Sequence, residues 1–90
     1  MSHTRRLEIV NARGLHARAS ARFVETVERF EAEAEVRRDG QAVSGASIMG
    51  LLMLAASRGS TIEVSTHGPD ADALLEALSE LVASRFGEEC

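Results

Sequence analysis

Polar and apolar residues alternate over Arg6-Leu7-Glu8-Ile9-Val10, and a β-branched pair closes the run. A period of two over residues 6–10 predicts a strand with Leu7 and Ile9 turned inward. The rhythm then changes. Ser20/Ala21, Phe23, Val24, Val27 and Phe30 recur at helical spacing, with Arg22, Glu25, Glu28 and Arg29 on the other side, which predicts a helix over 17–30. Residues 31–37 (Glu31-Ala32-Glu33-Ala34-Glu35-Val36-Arg37) are helix formers by composition but alternate with a period of two. Asp39-Gly40 just beyond is a hairpin turn signal, so the period decides, and a returning strand is predicted over 41–44.

Ser47-Ile48-Met49-Gly50-Leu51-Leu52-Met53-Leu54-Ala55-Ala56 predicts a short helix that is apolar nearly all round. Leu51, Leu54 and Ala55 make one stripe that can face a sheet. Ile48, Met49 and Leu52 make a second, which is either buried with the first or left outside as a docking patch. A turn at 57–60 leads to an alternating strand over 61–66 (Thr61-Ile62-Glu63-Val64-Ser65-Thr66). Gly68-Pro69-Asp70 starts the last helix, with Asp70 as its cap and Ala71, Leu74, Leu75, Leu78, Leu81, Val82 and Phe86 at spacings of three and four. Residues 87–90 are expected to fray. The order βαββαβα in a chain this short fits an α+β fold, an antiparallel sheet with helices packed on one face.

Composition narrows the class. Ninety residues, 44% hydrophobic and 27% charged, suit one small folded domain over 1–90. There is no long apolar run for a membrane span, and the first residues lead into a strand pattern and not a signal-peptide core. Cys90, the single cysteine, cannot form an internal disulfide, so a cytoplasmic setting is expected. A net charge of −4 with no Trp or Tyr speaks against nucleic acid as a partner. All ten cationic side chains are arginine. His3 and His67 are expected on the surface, in a loose end and a turn. No spacing among the histidines and Cys90 suggests a metal site, and nothing calls for a cofactor.

The chemistry concentrates where the first strand pattern gives way to the first helix. There Gly14-Leu15-His16-Ala17-Arg18 follows Asn11-Ala12-Arg13. Free N–H groups and a partial positive charge at a helix start favour an anion. A nucleophilic imidazole in that place suits a phosphoryl group, whose oxygens the N–H groups and Arg18 can hold. Histidine at a helix start is otherwise an ordinary surface residue. It is not a preferred cap, as Ser, Thr, Asp and Asn are.

Gly14-Leu15-His16-Ala17-Arg18 together with Ser47-Ile48-Met49-Gly50-Leu51, about thirty residues on, resembles the histidine-containing phosphocarrier family, HPr, of the bacterial phosphoenolpyruvate-dependent phosphotransferase system. The resemblance covers essentially the whole chain. It implies an open-faced β-sandwich: a four-stranded antiparallel sheet covered by three helices. It implies that His16 takes a phosphoryl group on Nδ1 from phospho-enzyme I and passes it to an enzyme IIA, with Arg18 steadying the oxygens. The pathway, sugar uptake or a regulatory chain, stays open. The chain would be a phosphoryl carrier rather than an autonomous enzyme, and a monomer.

The resemblance further implies that Ser47 is a site for an ATP-dependent HPr kinase/phosphorylase, and that Ile48, Met49 and Leu52 dock partners. Ser47 also reads simply as an N-cap. Three positions depart from the family pattern. Ala19 stands where proline is common, Ala46 where a lysine or similar polar residue is common, and Arg13 where small polar residues are common. A ligand-binding or protein-interaction module of similar layout explains the elements but not the pairing of His16 with Arg18. An RNA-binding module lacks basic surface and stacking aromatics.

Overall fold

The computed structural model describes residues 2–90. Its elements are β1 (Ser2–Glu8), α1 (Ala17–Glu28), β2 (Glu33–Arg38), β3 (Gln41–Ser44), α2 (Ile48–Met53), β4 (Thr61–His67) and α3 (Ala71–Ala83), followed by a 3₁₀ turn at Arg85–Gly87. The four strands form one antiparallel sheet in the order β1-β4-β2-β3. This is the predicted α+β architecture in the predicted element order.

Alternation decides what each strand buries. Ile62, Val64 and Thr66 of β4, Ala34 and Val36 of β2, and Leu7 of β1 turn to the side where the helices lie. They meet Phe23, Val24 and Val27 of α1, Leu51 of α2, and Leu74, Leu75, Leu78 and Val82 of α3 in one core. Thr66 is buried without penalty because its hydroxyl donates to Ala71 O at 2.7 Å. The β2–β3 hairpin turns on Asp39 and Gly40, both with positive φ (51° and 81°), as a two-residue hairpin loop requires.

Several expectations need correction. β1 begins at Ser2 and ends at Glu8, whereas the pattern suggested 6–10. Its first residues are polar, so they carry no apolar signal. One of them, Arg5, places its guanidinium on Ser79 Oγ (2.9 Å) and Glu76 (2.8 Å) of α3. His3 and His67 are both strand residues, paired with Thr66 and with Ser2. Helix α1 stops at Glu28, two residues before Phe30. Asp70 stands at the N-cap position of α3, as expected, but its side chain makes no capping bond; its carboxylate instead accepts from Glu31 N at 2.8 Å and ties two loops together.

In α2 the inward stripe is Leu51 and Leu54, and Ala55 is exposed. The helix ends at Met53, and Ala55 has a left-handed backbone (φ 51°), so Ala56 takes the buried place. Finally, residues 87–90 do not fray. They fold back across the loop before α1, with consequences for His16.

Candidate functional site

The loop between β1 and α1 is held from both ends. Gly14 N donates to Asn11 O, Leu15 N to Ala56 O at 2.9 Å, and His16 N to Gly14 O. Gly14 has φ +65°, and a Cβ there would lie 2.5 Å from Ala56 O, so glycine is required both by the backbone and by space. Leu15 is buried beside it. The loop thereby delivers His16 to one position, the N-cap of α1.

His16 has extended backbone (φ −75°, ψ −178°), and its carbonyl accepts from Ser20 N at 2.8 Å. Its side chain serves as the cap: Nδ1 accepts from Arg18 N at 3.2 Å. On the other side of the ring, Nε2 bonds the Glu88 carboxylate. These two partners assign the tautomer. A nitrogen that accepts an N–H has its lone pair free of a proton, and a nitrogen facing a carboxylate carries one. The ring is thus protonated at Nε2 and carries the basic lone pair on Nδ1. Both side chains are largely covered, 16% exposed for His16 and 17% for Glu88.

Glu88 reaches His16 because the tail after α3 is anchored. Phe86 is fully buried, its carbonyl accepts from the Arg22 guanidinium of α1, and Ala12 N donates to Cys90 O at 3.0 Å. Asn11, also fully buried, donates through Nδ2 to Gly14 O (2.9 Å) and to Glu88 (3.0 Å), bridging loop and tail. Two acceptors on one amide nitrogen fix its orientation and leave Oδ1 without a hydrogen-bond partner among the described residues. Burial alone would push the Glu88 carboxyl up. Hydrogen bonds from Asn11 and His16, with the nearby positive charge of Arg13, outweigh it and hold the group below the ordinary carboxylate value.

That shift has a pH consequence. A carboxyl lowered on folding stabilises the folded form fully above its unfolded pKa, and the contribution is lost as pH falls through the folded value. Tail docking should therefore be complete at neutral pH and loosen only in acid, below the usual carboxylate range. Hydrogen exchange at the Ala12 amide, which the tail protects, should accelerate there beyond its intrinsic rate. Protection of Ala12 that ignores Glu88 protonation would contradict the linkage.

The surroundings of His16 favour an anion. Residues 9–24 contain Arg13, Arg18 and Arg22 and no carboxylate, in a chain whose net charge is −4. Arg18 is exposed and makes no ion pair among the described residues. With Ala19 where the family pattern has proline, α1 still starts at Ala17, and Ala19 is buried in the core. The second motif lies on α2. Ser47 is its N-cap, with Oγ accepting from Gly50 N at 2.9 Å. Of the expected outer stripe, Ile48 and Met49 are 40% and 68% exposed and Leu52 is half-buried. Met53, which the sequence reading did not single out, is 63% exposed and extends the patch.

Asn11 and Glu88 were also missed as site residues. Asn11 offered only a polar residue after a strand. Gly87-Glu88-Glu89 reads as an ordinary polar end, and the one available signal was Phe86, an apolar residue that had to be buried somewhere.

Comparison with known proteins bears directly on this geometry. Residues 3–84 match the family model described as the PTS HPr component phosphorylation site. The chain is 46% identical over 82 residues to the phosphocarrier protein HPr of Neisseria meningitidis, covering 91% of this chain and 92% of that protein. It is equally identical, over 80 residues, to the phosphocarrier protein HPr of Cupriavidus necator, covering 89% and 90%. Among solved structures, HPr from Thermoanaerobacter tengcongensis superimposes with a TM-score of 0.93 at 39% identity, covering 98% of this chain and 99% of that one.

Proposed function

The chain belongs to the HPr family, the phosphocarriers of the phosphotransferase system, and from that premise we propose that His16 is the residue that carries the phosphoryl group. It accepts the group from phospho-enzyme I and hands it to an enzyme IIA. The observation that carries this reading is the unprotonated Nδ1 at the first turn of α1. Its lone pair forms the new N–P bond while the bond to the donor nitrogen breaks and its electron pair returns to the donor. The Arg18 N–H that now caps Nδ1 is then free to turn to a phosphoryl oxygen, with the exposed Arg18 guanidinium within the same turn.

The helix start and the arginine contribute positioning and charge; the partner supplies the second nitrogen and excludes water. The chain acts as a carrier rather than an autonomous enzyme, in the cytoplasm, as a single-domain monomer. No helix among the described residues is long and apolar enough to cross a membrane. Partners dock on Ile48, Met49 and Leu52, extended by Met53. The test is to mix the protein with phosphoenolpyruvate and a bacterial enzyme I and follow intact mass. One added phosphoryl group that is acid-labile and base-stable supports the reading. No label with an active, matching enzyme I refutes it.

Ser47 is the second control point in this reading. A phosphate there suits the helix start, yet it would set a charge of roughly −2 beside the apolar docking patch. Modification by an HPr kinase/phosphorylase, for which Ala46 is an unusual neighbour, would block partners without refolding the domain. Ser47→Asp should keep the circular dichroism spectrum and lower phosphotransfer from enzyme I by about tenfold or more, the effect of ~1.4 kcal/mol of lost docking. A collapsed spectrum, or undiminished transfer, would each refute this account.

A further inference from the structure

The carrier reading makes α2 the surface that partners meet, yet α2 is six residues long, too short to keep a helical shape unaided. Its outer side chains Ile48, Met49 and Met53 are exposed and give it no grip on the core. Leu51, inside the helix, and Leu54, just after it, are the apolar residues that do. Its two ends are closed from different places. Ser47 caps the start, with Oγ accepting from Gly50 N. The far end is closed by a side chain of the sheet: Arg38, the last residue of β2, donates through Nη1 to Leu54 O at 2.9 Å and to Ala55 O at 3.4 Å. We propose that Arg38 is a positioning residue for partner docking: by holding the carbonyls that end α2 it fixes the last helical turn, and with it the Leu52 and Met53 side chains that a partner meets. This rests on the reading of α2 as the docking surface.

Strand alternation puts the guanidinium there. Ala34, Val36 and Arg38 share the face of β2 on which the helices lie, while Glu35 and Arg37 point to the open face. At the end of the strand a long side chain can run beneath the helix, its stem covered and its head on polar atoms. The Arg38 side chain is accordingly 27% exposed. Asp39 stands 3.8 Å from it but is itself exposed, so the carbonyls and not the ion pair fix the guanidinium.

Those carbonyls need a donor. The last turn closes with Leu54 N on Leu51 O (3.2 Å) and Ala55 N on Leu52 O (3.1 Å), and the carbonyls of Leu54 and Ala55 meet no later helical N–H. The last turn of α2 holds no basic residue of its own. Ala55 also has a left-handed backbone, φ 51°, which an alanine adopts only at a cost. The donor to this strained end is therefore supplied from across the fold. Arginine suits the place, because its planar fork of N–H groups is preorganised, whereas lysine offers a compact ammonium on a flexible stem. The phosphoryl site does not depend on the bond. Ala56 is buried and accepts from Leu15 N, so the loop that carries His16 keeps its own anchor.

The test uses the full chain and two readouts. Hydrogen exchange is read at the Leu54 and Ala55 amides, which close the last turn. Phosphotransfer is read as the initial rate with phosphoenolpyruvate and catalytic enzyme I, with the carrier varied. Arg38→Met keeps an unbranched stem without the charge. Its Leu54 and Ala55 amides should exchange about tenfold faster, while Val36 and Val64 in the sheet stay protected. Its KM as carrier should rise about fivefold with kcat within about twofold of wild type. Arg38→Lys should fall between the two. Arg37→Met removes the same charge from the open face of β2 and should match wild type in both readouts. Unchanged exchange in Arg38→Met, whatever its KM, would overturn the inference, since α2 would then end without help from the guanidinium. Faster exchange with an unchanged KM would overturn it too, leaving a bond that serves the fold alone. So would an equal rise in KM in Arg37→Met, which would reduce the effect to net charge. Should Arg38→Met lose its fold, Arg38→Lys carries the same comparison. A wild-type chain that accepts no label would instead defeat the carrier reading, and exchange alone would then decide whether Arg38 holds the helix.

Discussion

His16→Ala is expected to accept no phosphoryl group at all, while His3→Ala and His67→Ala label as fully as wild type. The contrast follows from placement and not from residue type. His3 and His67 lie in paired strands, and the His67 ring takes a hydrogen bond with Ser2. His16 stands at a helix start with its Nδ1 lone pair among N–H donors. The variant should still fold. It loses the side-chain cap on Arg18 N and the ring's bond to Glu88, which together are expected to cost about 1–2 kcal/mol. For a domain this size each kcal/mol lowers the melting temperature by about 4–8 °C. A folded but unlabelled His16→Ala, checked by intact mass and thermal melting, is the expected result. Label retained in the variant would move the phosphoryl site elsewhere.

Periodicity made most of this fold legible because most of its elements bury one face. β2 is the clearest instance. Its Glu-Ala-Glu-Ala-Glu run favours helix by composition, yet Ala34 and Val36 had to share a face, and the Asp39-Gly40 turn required a hairpin. The misses share a physical cause. The start of β1 and the end of β4 are polar, because Arg5 finds its partners on α3 and His67 lies on the exposed side of the sheet. Alternation reports burial, and these residues are paired without being buried.

The tail was illegible for another reason. Its docking rests on Asn11, Glu88 and main-chain groups that lie far apart in sequence, and polar contacts at that separation leave no period to read. His16 could be singled out from a five-residue motif because a helix start is a local property. What faces its other ring nitrogen is a property of the fold. In the proposed function the groups that would meet the phosphoryl oxygens come from one turn of α1, whereas the carboxylate on the other ring nitrogen comes from the tail after α3.

Gly14→Ala is expected to damage both the fold and the site, because two separate demands meet at one residue. A left-handed backbone at φ +65° costs an alanine about 1–2 kcal/mol. The added Cβ would also stand 2.5 Å from Ala56 O and 2.9 Å from Ser57 Cα. Both are backbone atoms, so no side chain can swing away, and relief means moving the loop off the segment that follows α2. Overpacking of this kind adds about 1–3 kcal/mol. The Leu15–Ala56 bond and the placement of His16 depend on that same contact. Gly40→Ala is the matched control. Its φ is +81°, but nothing lies within 4 Å of the new Cβ, so only the backbone term applies. Chemical denaturation should therefore rank Gly14→Ala well below Gly40→Ala in stability. Phosphoryl acceptance, measured where both variants remain folded, should fall only in Gly14→Ala, since only there is the loop that carries His16 displaced. Equal destabilisation of the two would mean that the loop yields to the methyl group, and that the fit of Gly14 against Ala56 does not hold the histidine in place.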